Sequence, residues 1–168
     1  YHVKESKAKI QVHQGGTRSG KTYSILTALV ELCHRSENAG AVITIARKTF
    51  PAVRASVMRD FFNILHREDI YDPELHNKSE ATYRLYGNLV EFISVDQPQK
   101  VRGRKREILF INEANELTLE DWRQLVLRTT DRIIIDYNPS DEFHWIYDEV
   151  IPRPDSEFFQ TTYKDNPY

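Results

Sequence analysis

Residues 15–22 read Gly-Gly-Thr-Arg-Ser-Gly-Lys-Thr and satisfy every constrained position of the pattern G-x-x-x-x-G-K-[ST]. No other stretch limits the possible folds as tightly. The pattern works only where a strand runs into a glycine-rich turn that opens a helix, because the turn's N–H groups must converge on phosphate oxygens at the positive end of a helix dipole. The flanks agree. Lys9 to Gln14 reads as a short strand, and from Thr22 to about Arg35 the apolar residues Ile25, Leu26, Leu29, Val30 and Cys33 recur at helical spacing. In such a loop Gly15, Gly16, Thr17, Arg18, Ser19 and Gly20 cradle phosphate, Lys21 neutralises the β- and γ-phosphates, and the Thr22 hydroxyl ligates Mg²⁺. The alternative is an ordinary Gly-rich turn.

Beyond the loop, strand and helix patterns alternate. Ala41 to Ala46, Glu107 to Asn112 and Arg132 to Asp136 are apolar runs rich in β-branched residues, as expected of strands buried on both faces of a parallel sheet. A helix is predicted from Pro51 to about His66, with Val53, Val57, Phe61, Ile64 and Leu65 as its buried stripe. Thr82 to Leu85 and Leu89 to Val95, joined through Tyr86-Gly87-Asn88, read as a hairpin at one edge. Thr118 to Asp121 has the spacing of a capping box opening a further helix. A short helix around Phe143 to Val150 and a last strand near Phe158 to Thr162 follow. The sum is one doubly wound α/β domain.

Composition narrows the chemistry. A single cysteine, Cys33, excludes both a disulfide framework and a thiolate metal site, and its place on the apolar helix stripe makes it a small buried hydrophobe. The six histidines have no metal-ligand spacing; His34 and His66 read as exposed helix residues. Net charge is −2, so contact with nucleic acid would have to come from a local patch, such as Lys100, Arg102, Arg104, Lys105 and Arg106. Arg47 and Lys48, at the end of a central strand close to the ligand edge, read as ordinary surface charges, against contact with DNA or phosphate. No apolar run is long enough to span a bilayer and no signal peptide opens the chain, so a soluble, intracellular protein is expected. The absence of an initiator Met before Tyr1 is expected of a piece of something longer.

A second polar pair, Asn112-Glu113, stands at the carboxyl end of the strand 107–112, where open α/β sheets place their ligands. In P-loop ATPases this pair is an Asp that holds the Mg²⁺ shell and a Glu that polarises the attacking water. Asn112 brings no negative charge, so it is expected to meet the metal through water and to retain it more weakly. Glu113 is the candidate general base; its alternative is a turn or N-cap carboxylate.

These residues resemble the large terminase subunits of tailed bacteriophages, the motors that pump viral DNA into a procapsid. The likeness rests on residues 15–22, Ile-Ala-Arg-Lys-Thr-Phe at 45–50, Lys-Val-Arg-Gly-Arg-Lys at 100–105, Asn-Glu-Ala-Asn at 112–115, Asp-Tyr-Asn-Pro at 136–139 and Thr-Thr-Tyr-Lys-Asp-Asn-Pro at 161–167. It implies a P-loop NTPase of the ASCE/RecA-like kind: a three-layer sandwich with a mostly parallel sheet and an edge hairpin. Residues 1–160 would be the ATPase domain and 161–168 the start of a linker to a C-terminal nuclease. The activity implied is Mg²⁺-dependent ATP hydrolysis powering translocation of double-stranded DNA in the host cytoplasm. The partners implied are the portal and procapsid, the small terminase subunit, and further copies of the chain in a ring, the isolated domain being a monomer. The resemblance also makes Asn138 a coupling or sensor position, against a simple Asn-Pro turn, and Arg102 an arginine finger reaching a neighbour's nucleotide, against a solvated or DNA-facing arginine. Arg18 stands one residue beyond the usual loop arginine, which Thr17 replaces. Two rival functions share the generic chemistry: another P-loop motor such as a helicase, and a scaffold that holds ATP without turnover, suggested by Asn112.

Overall fold

The computed structural model describes residues 6–16, 20–139 and 144–161. Its strands are β1 (Ile10–Gly15), β2 (Val42–Arg47), β3 (His76–Asn77), β4 (Thr82–Leu85), β5 (Asn88–Ser94), β6 (Arg106–Ile111), β7 (Thr129–Tyr137) and β8 (Ser156–Thr161). They form one sheet in the order β3-β4-β5-β2-β6-β7-β1-β8. From β5 to β8 every neighbour is parallel, while β3, β4 and β5 pair antiparallel. The expected hairpin is β4–β5; its two-residue turn puts Tyr86 (φ 50°) and Gly87 (φ 78°) both in the left-handed region, as a type I′ turn requires. Gly87 is also locked sterically, since a Cβ there would lie 2.5 Å from Asn38 Oδ1. The short strand β3 extends this edge and carries no apolar pattern that would have announced it.

The helices are α1 (Lys21–Arg35), α2 (50–67), α3 (Pro98–Gly103) and α4 (Leu119–Val126). The predicted capping box is present: the Thr118 hydroxyl accepts from the Asp121 N–H at 3.1 Å, and the Asp121 carboxylate accepts from the Thr118 N–H at 2.9 Å. Within α2 the segment Arg54–Met58 is π-helical, a feature of side-chain and backbone register that apolar spacing does not reveal. A second π-helical turn, Ile146–Val150, occupies part of the predicted helix; Phe143 lies outside the described residues.

Alternation along the parallel strands divides the core between two faces. Ile43, Ile45, Phe92, Phe110 and Ile134 turn toward α1 and α2. Ile93, Leu109, Ile111, Ile133 and Ile135 turn toward α3, α4 and the 146–150 turn. Each fully buried side chain of this size contributes about 1.5–3 kcal/mol relative to exposure, which is why these runs must be covered on both sides. Arg106 departs from the expected solvated patch. It is fully buried, and its guanidinium donates to Thr44 Oγ1 (3.1 Å), Leu125 O (3.0 Å) and Val101 O (3.0 Å), tying β6 to β2, α4 and α3. Desolvation holds its pKa below the usual arginine value, with the nearby Glu91 carboxylate opposing. The exposed basic residues there are therefore Arg102, Arg104 and Lys105, with Lys100 half-buried.

One point of topology positions everything that follows. Strand β7 is inserted between β1, which leads into the glycine-rich loop, and β6, which delivers Asn112 and Glu113. The carboxyl end of β7 thus stands between the two motifs.

Candidate nucleotide site

The glycine-rich loop enters from β1 at Gly15 and reaches α1 through Gly20, which has φ 74° and ψ 8°; only glycine occupies that conformation without cost. Thr17, Arg18 and Ser19 lie outside the described residues. No acidic residue occupies the first turn of α1, and among the described residues no side chain caps it, so its N-terminal amides are left for an anion. The start of the loop is braced from the sheet: Gln14 Oε1 accepts from the hydroxyls of Tyr137 and Tyr147, each at 2.8 Å.

The two predicted motifs come together at the end of β7. Lys21 Nζ donates to Asn138 Oδ1 at 2.8 Å, which puts the sensor candidate against the phosphate-loop lysine across 117 residues of sequence. The Thr22 hydroxyl donates to Asp136 Oδ2 at 2.6 Å. Asn112 Nδ2 donates to Asp136 Oδ1 (2.9 Å) and Oδ2 (3.2 Å) and approaches Thr22 Oγ1 at 3.4 Å. The Glu113 N–H donates to Asp136 Oδ1 at 2.8 Å. Asp136 is fully buried and is the hub of this cluster. Reading strand by strand missed it as a site residue, yet a signal was present: Ile133-Ile134-Ile135-Asp136 repeats the pattern of an apolar strand ending in a polar side chain, and Ile135 pairs with Ile111, so Asp136 stands beside position 112 while still paired to β1.

Glu113 has φ 52° and ψ 53°, a left-handed backbone that is strained for a residue with a Cβ and is characteristic of functional sites. It stands at the N-cap of the 3₁₀ turn Ala114–Glu116 and makes no side-chain capping bond there. Its carboxyl pKa is raised, first by desolvation and then by the Asp136 carboxylate, with Lys21 and Arg47 opposing. Asp136 is likewise raised by burial, against the hydrogen bonds from Thr22, Glu113 and Asn112 and the charge of Lys21.

Lys21, Thr22, Asn112 and Glu113 line a cleft of about 300 Å³, walled on the other side by Arg47 and by Ser56 and Asp60 of α2. Arg47 is therefore a cleft residue, contrary to its reading as a surface charge. Its Nη1 donates to Ser56 Oγ (2.8 Å), its Nη2 to Glu116 Oε1 (2.9 Å), and its Nε is buried without a partner. Ser56 belongs to the π-helical segment of α2, and no sequence signal marked it. Lys48 keeps its surface role, pairing with Asp121 at 3.0 Å. Arg102 is exposed on α3 beside Glu120 and Asp121, away from the residues that line the Lys21–Glu113 cleft.

Among the described residues no group of three or more His, Cys, Asp or Glu could hold a metal ion by itself. A divalent cation at Thr22 would take most of its ligands from water and nucleotide phosphates, as Mg²⁺ prefers. The donor set fits one. Thr22 gives its proton to Asp136 and keeps its lone pairs, while a fully buried carboxylate receives only neutral donors and has Lys21 as the nearby cation. Among the described residues no helix is long and apolar enough to cross a membrane.

The profile of the phage terminase large subunit family matches residues 7–168. Among solved structures, the large terminase of a thermophilic bacteriophage superposes with a TM-score of 0.81 at 18% identity, covering 95% of this chain and 42% of that one. The same terminase in complex with ATP-gamma-S gives 0.78 at 18% identity, covering 95% and 41%. The large terminase ATPase domain of a Thermus phage gives 0.67 at 18% identity, covering 93% and 76%. The chain thus spans about two fifths of the first of these relatives. No curated protein matches the chain.

Proposed function

The chain belongs to the phage terminase large subunit family, and from that premise we propose that it is the ATP-hydrolysing motor part of such a subunit, using Mg²⁺·ATP to drive double-stranded viral DNA into a procapsid. The observation that carries this reading is the convergence of Lys21, Thr22, Glu113 and Asn138 on one end of β7. A solved relative with ATP-gamma-S bound supports the nucleotide, and the family supports the packaging context. Family membership separates the chain from a generic helicase. The scaffold reading depended on Asn112 as a missing charge, and Asp136, bonded to it, supplies a carboxylate at the same place.

In this mechanism the loop amides and Lys21 bind the phosphates and oppose the charge that develops on the γ-phosphoryl group. Thr22, backed by Asp136, would hold a Mg²⁺ ion, which when bound would supply charge neutralisation at the phosphates. Glu113 accepts the proton of the attacking water; its raised pKa makes it a better acceptor than an ordinary carboxylate. Lys21 Nζ, which donates to Asn138 Oδ1, exchanges that acceptor for a phosphate oxygen when nucleotide binds, and the released Asn138 reports the state of the nucleotide to β7. Arg102 serves as a finger across a subunit interface. Residues 161–168 begin the connection to a nuclease domain, and the working motor is a ring docked on the portal, fed by the small subunit in the host cytoplasm.

The test is steady-state hydrolysis together with nucleotide binding. Lys21→Ala should abolish turnover and greatly weaken nucleotide affinity. Glu113→Gln should still bind ATP while turnover falls by roughly two to four orders of magnitude. Wild-type turnover in Lys21→Ala would end the proposal.

A further inference from the structure

We propose that Asp136, on β7, is the carboxylate of the cation shell in this protein, standing in for the acidic residue that position 112 lacks. Resting on the ATPase reading above, the inference concerns which side chain holds the metal's shell and Thr22 in place. In P-loop enzymes that carboxylate ends the strand before the catalytic glutamate; here that strand is β6 and its polar residue is Asn112. The neutral amide carries no charge to offset a divalent cation. The topology supplies a substitute, because β7 lies directly between β6 and the strand that feeds the loop.

Three contacts define the role. The Thr22 hydroxyl donates to Asp136 Oδ2, so its lone pairs stay available to a cation. Asn112 donates to both carboxylate oxygens and fixes their plane, as an outer-shell partner does for a metal-orienting carboxylate. The Glu113 N–H donates to Oδ1, so the group that positions the metal's threonine also anchors the backbone of the general base. Asn112 is then a positioning residue for Asp136. Exchange of Asn and Asp between positions 112 and 136 should preserve the function, since the two side chains are nearly isosteric and already in contact.

The experiment compares wild type, Asp136→Asn and the exchanged pair Asn112→Asp/Asp136→Asn. ATP-gamma-S affinity is measured with Mg²⁺ and with chelator, Mn²⁺ binding by electron paramagnetic resonance, and folding by thermal unfolding. Asp136→Asn should lose roughly 10–100-fold of the metal-dependent part of affinity and of Mn²⁺ binding; the exchanged pair should recover most of it. A full metal response in Asp136→Asn, or a folded exchanged pair that recovers none, overturns the proposal. Should Asp136→Asn fail to fold, the exchanged pair decides. Should neither variant fold, Fe²⁺ substituted in the wild-type nucleotide complex and activated with peroxide decides instead: backbone cuts beside Asp136 support the assignment, and cuts beside 22 and 112 without one at 136 overturn it. Wild type that binds no ATP-gamma-S under either condition brings down the ATPase reading, and this inference with it. Wild type that binds normally while Asp136→Asn keeps its metal response brings down this inference alone.

Discussion

Glu113 shows how a site residue trades stability for chemistry. Its carboxyl titrates above the ordinary value of 4.5 because burial and the Asp136 charge both disfavour the anion. A base works only when deprotonated, so kcat/KM should fall as pH drops through that raised value, placing the acidic limb above the usual carboxylate range. Arg47 and Lys21 oppose the shift; Arg47→Met should therefore move the limb to still higher pH, and a pH–rate profile of both proteins checks this. Linkage gives the companion result. An acid whose pKa is higher folded than unfolded destabilises the native state above its unfolded pKa, so Glu113→Gln should raise the melting temperature at neutral pH, and the gain should vanish below about pH 4. Melting curves across that range would expose an error in the sign. The strand pattern marks Asp136 as a polar strand end but not its role, because its partners Thr22 and Asn112 lie 114 and 24 residues away and meet it only through sheet order.

At the scale of elements, the junction of β2, β6, α3 and α4 is tied by one buried guanidinium. Arg106→Met removes three hydrogen bonds at once: it leaves the Val101 carbonyl and the Thr44–Glu91 pair without the guanidinium, while Leu125 O keeps only the bond from the Thr129 hydroxyl. A loss of about 3–5 kcal/mol is expected, read from denaturant unfolding; a near-neutral result would mean that the methionine packing compensates. Sequence patterns located the elements whose burial is regular. The runs at β2, β6 and β7 were legible because both faces of a central parallel strand are covered, and α1 because its stripe repeats at helical spacing. Arg106 was misread as part of a solvated basic run, since a chain pattern does not show that α3 and α4 fold over the start of β6. Helix α3, six residues long with only Val101 buried, and β3, two residues long, are too short for any period to emerge. The π-helical segment of α2 was invisible for a different reason: it preserves the apolar stripe while turning Ser56 into the cleft toward Arg47.

At the scale of the whole molecule, the distribution of arginines bears on how the site is completed. Lys21, Glu113 and Asn138 gather on one edge of the sheet, while Arg102 sits exposed on α3 and does not join them. An arginine that stabilises transition-state charge must touch the phosphates, and one that cannot reach its own nucleotide can act only on another subunit's. Arg102→Ala should then leave ATP affinity of the monomer nearly intact but cripple turnover in the assembled motor of the full-length subunit. Mixing it with Lys21→Ala subunits, themselves inactive, should restore part of the activity, because each Arg102→Ala subunit keeps an intact pocket and can receive the Arg102 of a Lys21→Ala neighbour. Rescue should peak near equal proportions, where unlike neighbours are most frequent. No rescue at any ratio, in assemblies shown to contain both variants, would assign Arg102 to DNA or solvent. Salt separates those two: if Lys100, Arg102, Arg104 and Lys105 grip phosphates, replacing them should flatten the salt dependence of DNA binding without altering ATP affinity.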